Sequence, residues 1–422
     1  MISGVIAGCN EQDLPKEEVI KIENKESKDT AIKKEEVKRV VKQKETSKDF
    51  QQGMNRFSLR MFEELENGEN MFLSPYSIAM ALSMVDNGAD TDTKKEIEEM
   101  LGITDLSKWN EDVNFYLTKQ WNKKTFLENA NSLWISKQMQ LAPEAEKEYF
   151  SVVSQYFGAE KYYGDLYTTE TKNKINQWVK KNTGGMIKEI LNRNLSSQTK
   201  MALLNAIYFE GKWEKKFEKE NTEKYPFYGK EKETEVDMMC MDDESFSYLE
   251  RNGLRAVELP YKNSSIVMDV ILPADRQDDV FEVFSGLSEE EKMDFFKRLS
   301  ESELQDITTL CIPKFETEYS KDEEIKTALQ RLGMKSAFDE ENADFGKISK
   351  HPLYISEIIH KAKIQVEENG TKASATTAII FKENCVLKTE NTLFVADHPF
   401  IYVIRDVEEN IILFMGVMYN ME

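Results

Sequence analysis

Apolar residues recur at helical spacing near the start of the ordered pattern. Met54, Phe57, Met61 and Leu65 are separated by three or four residues, so they fall on one face of a helix. Gly68 follows three residues after Leu65, and glycine is typical of a helix C-terminus. The pattern predicts an amphipathic helix that ends near this glycine.

Two further helix starts carry capping signals. Ser74 precedes Pro75, and a serine cap followed by proline in the first turn costs no backbone hydrogen bond. Thr93 and Glu96 have the spacing of a capping box, which predicts a helix that ends at Gly102. Other helical patterns cover residues 143–156, 169–181, 288–302 and 321–332.

After Lys200 the pattern changes to short apolar runs rich in β-branched and aromatic residues, which predict strands. The chain ends on two such runs around a polar turn at Asp406–Asn410, which predicts a hairpin. Helices come first and strands later, without the regular alternation of a doubly wound sheet. The order therefore favours an α+β fold. The main runs are MALLNAIYFEGKW, LRAVELPY, SSIVMDVILP and TTLCIPKFE.

The composition excludes several classes of function. The chain has 422 residues, 40% of them hydrophobic and 32% charged, with a mean hydropathy of −0.58. Its net charge is −21 and its pI is about 4.9, whereas a nucleic-acid partner requires a basic surface. No apolar run reaches the roughly 18 residues that a membrane-spanning helix needs.

The cysteines are too scattered for a CxxC pair or a disulfide scaffold. They stand at Cys9, Cys240, Cys311 and Cys385. Two of them, Cys240 and Cys311, lie in apolar runs and are expected to be free buried thiols.

The histidines do not indicate an enzyme or a metal site. Each of His351, His360 and His398 lies in apolar, strand-like sequence, where a hydrogen-bonded structural histidine is expected. The sequence contains no GxGxxG after a strand, no P-loop, no HExxH and no GxSxG. We therefore expect neither catalysis nor a cofactor.

The N-terminus resembles a membrane-anchoring signal followed by a spacer. Ile6 to Cys9 resembles a bacterial lipobox, so residues 1–9 are interpreted as a signal remnant with lipidation at Cys9, although no basic residue precedes them. Residues 10–49 are rich in Lys and Glu and contain no glycine, which predicts a disordered tether. We expect an extracellular or cell-surface lipoprotein of a bacterium. The alternative is a dispensable tail.

Nine segments, in order, resemble serpins and cover the chain from about Phe50 to its end. The resemblance implies one domain, over residues 50–422, of about eight or nine helices and three β-sheets. It also implies an exposed reactive-centre loop at about 368–394. The implied activity is inhibition of serine proteases by a monomer that can polymerise through loop–sheet insertion. The alternative is a non-inhibitory serpin that acts as a binding or carrier protein. The segments are NMFLSPYSIAMALSM, ENANSLWI, INQWVKKNTGGMI, LLNAIYFEGKWEKKF, AVELPY, IPKFETEY, LGMKSAFDEENADFGKI, LYISEIIHKAKIQVEENGTKASATT and ADHPFIYVIRD…ILFMGVMYN.

In serpins the start of the loop is a hinge that inserts into the central sheet after a protease has formed an acyl-enzyme. The inserted strand carries the protease away and distorts its active site. The residues that match the hinge are Glu368, Gly370, Thr371, Lys372, Ala373, Ser374, Ala375, Thr376 and Thr377.

The chemistry of this segment suits insertion. Side chains alternate between the two faces of a strand, and the set that contains Thr371 carries no charge. Lys372 and Lys382 both fall on the opposite set, which can face solvent, although Lys372 stands where the family usually has an acidic residue. A shift by one residue would bury both lysines.

Two distances along the chain bracket the reactive bond. Counting about fourteen residues from Gly370, as the resemblance implies, reaches the bond between Asn384 and Cys385, whereas counting about eleven back from Pro399 reaches Lys388. Val386 is a further candidate. The medium-sized apolar side chains of Cys385, Val386 and Leu387 favour an elastase- or subtilisin-like protease over a trypsin-like one. Asn384 would also suit an asparagine-preferring cysteine protease.

Other positions match the family's control points for sheet opening. The resemblance implies a polar "shutter" beneath the sheet, formed by Ser74, Ser77, Asn205 and His360. It implies a "breach" at the upper entry point, formed by Trp213, Lys314 and Glu368.

Overall fold

The structure is a computed structural model. It describes residues 45–119, 125–356, 358–371 and 392–421, and the side chain of Phe126 is not described. Within these ranges it contains nine α-helices: α1 (Lys48–Leu65), α2 (Pro75–Asp86), α3 (Thr91–Leu101), α4 (Leu106–Leu117), α5 (Ser151–Phe157), α6 (Thr169–Asn182), α7 (Val280–Ser285), α8 (Glu289–Glu301) and α9 (Asp322–Arg331).

Seven of the nine helices in the described ranges form close to where the sequence predicts them, whereas α4 and α7 were not predicted. Helix α1 buries Met54, Phe57, Met61 and Leu65 on one face. The segment predicted over 143–156 begins as a π-helical turn at Glu146–Phe150 and continues as α5, and the other three segments match α6, α8 and α9 within two residues. None of the helices in the described ranges is long and apolar enough to cross a membrane.

One of the two capping predictions is confirmed and the other is wrong. The Ser74 side chain accepts from the Ser77 N–H, and Pro75 begins α2. Helix α3 instead starts two residues before Thr93, because the side chain of Asp90 takes the cap position. Glu96 is then free to accept hydrogen bonds from the loop at residues 335–336, while Gly102 ends the helix as predicted.

Fifteen strands are present in the described ranges, and they form two hydrogen-bonded sheets. The strands are β1 (Met71–Leu73), β2 (Thr125–Ser136), β3 (Glu160–Gly164), β4 (Met201–Lys212), β5 (Thr222–Tyr228), β6 (Glu233–Arg251), β7 (Leu254–Pro260), β8 (Ile266–Pro273), β9 (Leu304–Pro313), β10 (Phe315–Tyr319), β11 (Ala362–Glu367), β12 (Gly370–Thr371), β13 (Leu393–Val395), β14 (Phe400–Asp406) and β15 (Ile411–Met418).

The larger sheet contains the core of the molecule. Its main path is β1-β15-β14-β8-β7-β6-β9-β13, and β5 pairs with β6. The predicted C-terminal hairpin is β14 and β15, and every residue of both strands is buried. The resemblance implied three sheets, and two of them are joined here because the 19-residue strand β6 pairs with β5 and β9 in one part and with β7 in another. The α+β class is confirmed.

The smaller sheet has the order β10-β11-β12-β4-β2-β3. Strand β12 is only two residues long and lies between β11 and β4. Helix α2 packs against β4 on one side of this sheet, and α6 packs against β2 and β4. A second apolar cluster lies beneath α6 and includes Trp178, Ile187 and Leu204.

The prediction of free thiols at Cys240 and Cys311 is wrong. The two residues are directly opposite each other in the antiparallel pair β6–β9, and their sulfur atoms form a disulfide. They are 71 residues apart in the sequence, so no local spacing indicates the bond.

The described contacts within the folded domain begin slightly before Phe50. The backbone N–H and the hydroxyl of Thr46 both donate to the Glu409 carboxylate at 2.9 Å. Ser47 caps α1 and also donates to Asp112 of α4. The predicted signal remnant and Cys9, together with the tether up to residue 44, lie outside the described residues.

Candidate functional site

The predicted hinge begins inside the central sheet. Gly370 pairs with Glu367 of β11 and with Lys212 of β4, and Thr371 pairs with Val366 and Gly211. Strand β12 is therefore the first step of an additional strand between β11 and β4.

Gly370 is required by geometry. Its φ of +148° lies in a region that side-chain-bearing residues rarely adopt, and a Cβ atom would lie 2.0 Å from the carbonyl oxygen of Gly211. A larger residue would separate β12 from β4.

Thr371 faces the protein interior. Its side chain is 2% exposed, and its hydroxyl lies 2.5 Å from the hydroxyl of Tyr261. The Tyr261 ring stacks on Trp213 with 4.5 Å between ring centroids. Thr371 therefore faces inward, as the alternation of side chains along the hinge predicts.

The breach residues converge on the same place. The indole N–H of Trp213 donates to the Glu367 carbonyl at 3.0 Å, and its backbone N–H donates to Asn369. The Lys314 ammonium lies 3.1 Å from the carboxylate of Glu368, which also accepts from Thr222 at 3.2 Å. All three predicted breach residues thus hold the turn at 367–369 that precedes β12.

Glu368 is held in its charged form. Burial alone would raise its pKa, but hydrogen bonds from the backbone, Lys314 and Thr222 and the charge of Lys314 bring the pKa below its ordinary value. The contact between Glu368 and Lys314 stabilises the native arrangement at pH values above the ordinary pKa of a glutamate. Its contribution is lost as the pH falls through the lowered pKa of Glu368.

Below Thr371, no strand pairing between β11 and β4 is present among the described residues. A cavity of about 20 Å³ lies directly beneath it, between the side chains of Phe209 on β4 and Ile364 on β11. A larger cavity of about 110 Å³ follows, between residues 201–205 of β4 and residues 353–356 and 358–360, which belong to no strand. We call the two cavities together the slot. Segments 183–187 and 195–199, which follow α6, contribute to its lining.

The predicted shutter residues lie at the middle of the slot. Ser77 donates to the Asn205 side-chain oxygen at 2.6 Å. The Ser74 hydroxyl donates to the Leu413 carbonyl, and the Ser74 N–H donates to Nε2 of His360 at 3.3 Å. These bonds connect α2 to β4, to β15 and to the segment before β11, so they oppose separation of these elements.

Sequence reasoning missed three contributors to this machinery. The Asn205 amide donates to Asn129 at 2.6 Å and to Asn131 at 2.7 Å, both on β2. Their spacing of two residues places them on one face of a strand, which was the available signal. Nothing in the sequence indicated the third residue, Tyr261, because its role depends on a contact 110 residues away.

The three histidines differ in environment. His360 and His398 are buried, and Nδ1 of His398 lies 2.8 Å from Asp397, so a structural role fits both. His351 is exposed, and none of the three lies in a strand. The expectation of a structural histidine is therefore wrong for His351.

We expect His360 to weaken the native state in mild acid. Burial lowers the pKa of His360 to about 4, because a charged ring would lose hydration and its Nε2 could no longer accept from Ser74. As the pH falls from about 6.5 to about 4, states that expose this ring gain a proton that the native state does not. The free energy of unfolding should fall by roughly 2 kcal/mol between pH 7 and pH 4.5 from this residue alone.

Urea titrations of the wild type and His360→Gln at both pH values measure this contribution. The wild type should lose more stability than the Gln variant, and His351→Gln, which changes an exposed ring, should behave as the wild type. An equal loss in wild type and His360→Gln would contradict the prediction.

The far end of the predicted loop is anchored in the larger sheet. Strand β13 pairs in parallel with β9 through Leu393, Phe394 and Val395. The hinge residues after Thr371, from Lys372 to Thr377, lie outside the described residues. The reactive-bond candidates Asn384, Cys385, Val386 and Lys388 also lie outside them.

Comparison with known proteins agrees with the fold. The family model described as "Serpin (serine protease inhibitor)" matches residues 52–421. Iripin-2 of Ixodes ricinus is 34% identical over 377 residues, which are 86% of this chain and 91% of that protein. The leukocyte elastase inhibitor of Bos taurus is 33% identical over 376 residues, which are 86% and 96% of the two chains.

A solved structure shows the same architecture. The native state of Tengpin, a thermophilic serpin, superposes with a TM-score of 0.81 at 28% identity and covers 90% of this chain and 96% of its own. The chain described here belongs to the serpin family.

Proposed function

We propose that this serpin is a suicide-substrate inhibitor of serine proteases that traps the acyl-enzyme by inserting its loop into the slot. The observation that carries the proposal is β12, which has begun a strand between β11 and β4 directly above an open slot. A loop with only a surface role would not require a gap of this kind in the central sheet.

Continuing the register of β12 tests whether the next residues suit the slot. The inserted strand would place Ala373 between Phe209 and Ile364, where the cavity is about 20 Å³ and only a small side chain fits. Thr377 would lie between Asn205 and His360, where a hydroxyl can hydrogen-bond with the shutter.

The opposite face suits the charged residue. In the same register Lys372 would lie beside Glu210 of β4, whose side chain is only partly buried. A lysine there gains a cross-strand ion pair, whereas an acidic residue would be repelled. The departure from the family's usual residue at position 372 is therefore compatible with insertion.

The trapping chemistry uses only the protease's own reaction. The protease serine attacks the carbonyl carbon of the residue before the reactive bond, an ester forms, and the amine of the following residue leaves with a proton. Insertion of the freed N-terminal part of the loop then moves the ester-linked protease before water can hydrolyse the ester. The free energy comes from the strand pairs that replace the unpaired edges of the slot.

We infer an elastase- or subtilisin-like target. Cys385, Val386 and Leu387 offer medium apolar side chains near the inferred bond. One relative is named as an inhibitor of leukocyte elastase. Cleavage after Asn384 by an asparagine-preferring cysteine protease is the alternative for the target.

We also propose an extracytoplasmic location, with a lipid anchor at Cys9 and the charged tether as a spacer. The disulfide between Cys240 and Cys311 supports an oxidising compartment, because such bonds rarely persist in a reducing cytosol. Mass spectrometry of the membrane fraction from the producing cell would detect acylated Cys9 and the tether. A soluble, unacylated product would contradict the anchor.

The inhibitory proposal is tested by mixing the full chain with elastase, subtilisin and trypsin and analysing the products after boiling in SDS. We expect a stable complex with elastase or subtilisin, together with a released C-terminal peptide that begins at Cys385. Cleavage without complex would favour the binding or carrier alternative. The mass of the peptide distinguishes the bond after Asn384 from those after Cys385 and Lys388.

A further inference from the structure

We propose that the hydroxyl of Tyr261 is a positioning group that holds the hinge in the sheet and so favours trapping of the protease over its release. This inference rests on the proposed function, because the hinge is the point from which the loop would insert. Its structural basis is a buried pair of hydroxyls, one on Tyr261 and one on Thr371. We call the hinge seated when Gly370 and Thr371 form β12.

The Tyr261 ring is held in place by aromatic neighbours and by the backbone. It stacks on Trp213 at 4.5 Å and meets Phe209 of β4 edge-on at 4.8 Å, both between ring centroids. A Cβ atom on Gly211 would lie 2.5 Å from the ring, so the ring lies directly against β4. The Tyr261 N–H donates to the Ile266 carbonyl at 3.1 Å. The position of the hydroxyl is therefore set by the packed body of the protein.

Tyr261 brings a group from the larger sheet to the hinge. It directly follows β7 of the larger sheet, whereas Thr371 belongs to β12 of the smaller one. Next to it, the Lys262 N–H donates to the Lys212 carbonyl at 2.7 Å, which fastens this connection to the end of β4. The hydroxyl therefore reaches the hinge from a fixed part of the body rather than from the loop.

The two hydroxyls are partners in the core. Both side chains are almost completely buried, and their oxygen atoms lie 2.5 Å apart. Burial raises the pKa of Tyr261 far above its ordinary value, more than the hydrogen bond with Thr371 lowers it, so the phenol keeps its proton and can donate. If the hinge leaves the sheet, the Tyr261 hydroxyl loses this partner, and a buried hydroxyl without a partner is costly.

A seated hinge matters because insertion would proceed in register from it. The pairs of Thr371 with Val366 and Gly211 align the next residues of the loop with β11 and β4. From there each further pair orders one more residue, whereas an unseated hinge must first return to the same register. That delay gives water more time to hydrolyse the ester and release the protease. The hydroxyl pair should therefore raise the trapped fraction.

The test is a double-mutant cycle in the full chain, with the wild type, Tyr261→Phe, Thr371→Val and the variant that carries both changes. Phe keeps the aromatic ring and Val keeps the shape of threonine, so each single change removes one hydroxyl. The first measurement is hydrogen exchange of the β12 amides in the uncut protein, which needs no protease. Tyr402→Phe is the matched control, because it removes a buried hydroxyl that donates to the Met71 carbonyl instead.

We expect exchange at β12 to rise about fivefold in each single variant, because one net hydrogen bond is lost. The double variant should exchange no faster than either single one, since neither hydroxyl is then left without its partner. Tyr402→Phe should match the wild type at β12. Unchanged exchange in Tyr261→Phe, or single effects that multiply in the double variant, would overturn the role of the hydroxyl in seating the hinge.

The second measurement is the ratio of cleaved to trapped serpin after reaction with the protease. This ratio should rise by up to about fivefold in Tyr261→Phe, and across the four proteins it should follow the seating measured by exchange. An unchanged ratio despite faster exchange would overturn the role of Tyr261 in trapping. Cleavage without complex even in the wild type would refute the proposed function, whereas the exchange results would still decide whether Tyr261 seats the hinge.

Discussion

Thr371→Arg should convert the inhibitor into a substrate. Thr371 is 2% exposed and its hydroxyl lies 2.5 Å from that of Tyr261, so an arginine there must bury a charge or leave the sheet. Burying an unpaired charge costs several kcal/mol, which is enough to prevent β12 from leading the loop into the slot. The protease should cut the loop at a normal rate, and the SDS-stable complex should fall at least about tenfold.

Lys372→Arg is the matched control for this substitution. It places an arginine one position further along, on the opposite face of the strand, beside Glu210 in the inserted register. This variant should form complex as the wild type does. Full complex formation by Thr371→Arg would show that the inward orientation of Thr371 in β12 does not govern insertion.

Cleavage of the loop by a protease that is not trapped should raise the melting temperature sharply. The continued register gives about ten new residue pairs on each side of the inserted strand, from Gly211 towards Met201 along β4. At about 0.5–1.5 kcal/mol for each net hydrogen bond, the gain is on the order of 10 kcal/mol, which corresponds to a rise of about 15 °C or more. Calorimetry of intact and cleaved protein measures the change.

Cleaved Thr371→Arg provides the comparison for that measurement. It is nicked at the same bond but should not insert, so its melting temperature should stay near that of its own uncut form. A cleaved wild-type protein that melts no higher than the intact one would mean that the slot does not accept the loop.

The amphipathic helices could be predicted from the sequence because their signals are local. The spacing of Met54, Phe57, Met61 and Leu65 specifies one buried face, whatever packs against it. The wrong start predicted for α3 also comes from reliance on a local signal. Thr93 and Glu96 satisfy a local capping rule, but Asp90 caps an earlier start, and Glu96 is used by a loop more than 230 residues away.

The candidate site was only partly accessible from the sequence. Resemblance to serpins predicted the breach and shutter residues, and the structure brings each group together in space. Tyr261, Asn129 and Asn131 were missed, because the contacts that give them a role join distant segments.

The sequence by itself determined which hinge residues would share one face of a strand, with both lysines apart from the uncharged set, because strand geometry alternates side chains regardless of context. It also determined the positions of most helices and of the C-terminal hairpin. Only the tertiary structure decided that β12 lies between β11 and β4 with an open slot below it, and that Cys240 is bonded to Cys311. These features depend on which distant strands become neighbours, and that pairing is set by packing of the whole core rather than by any local pattern.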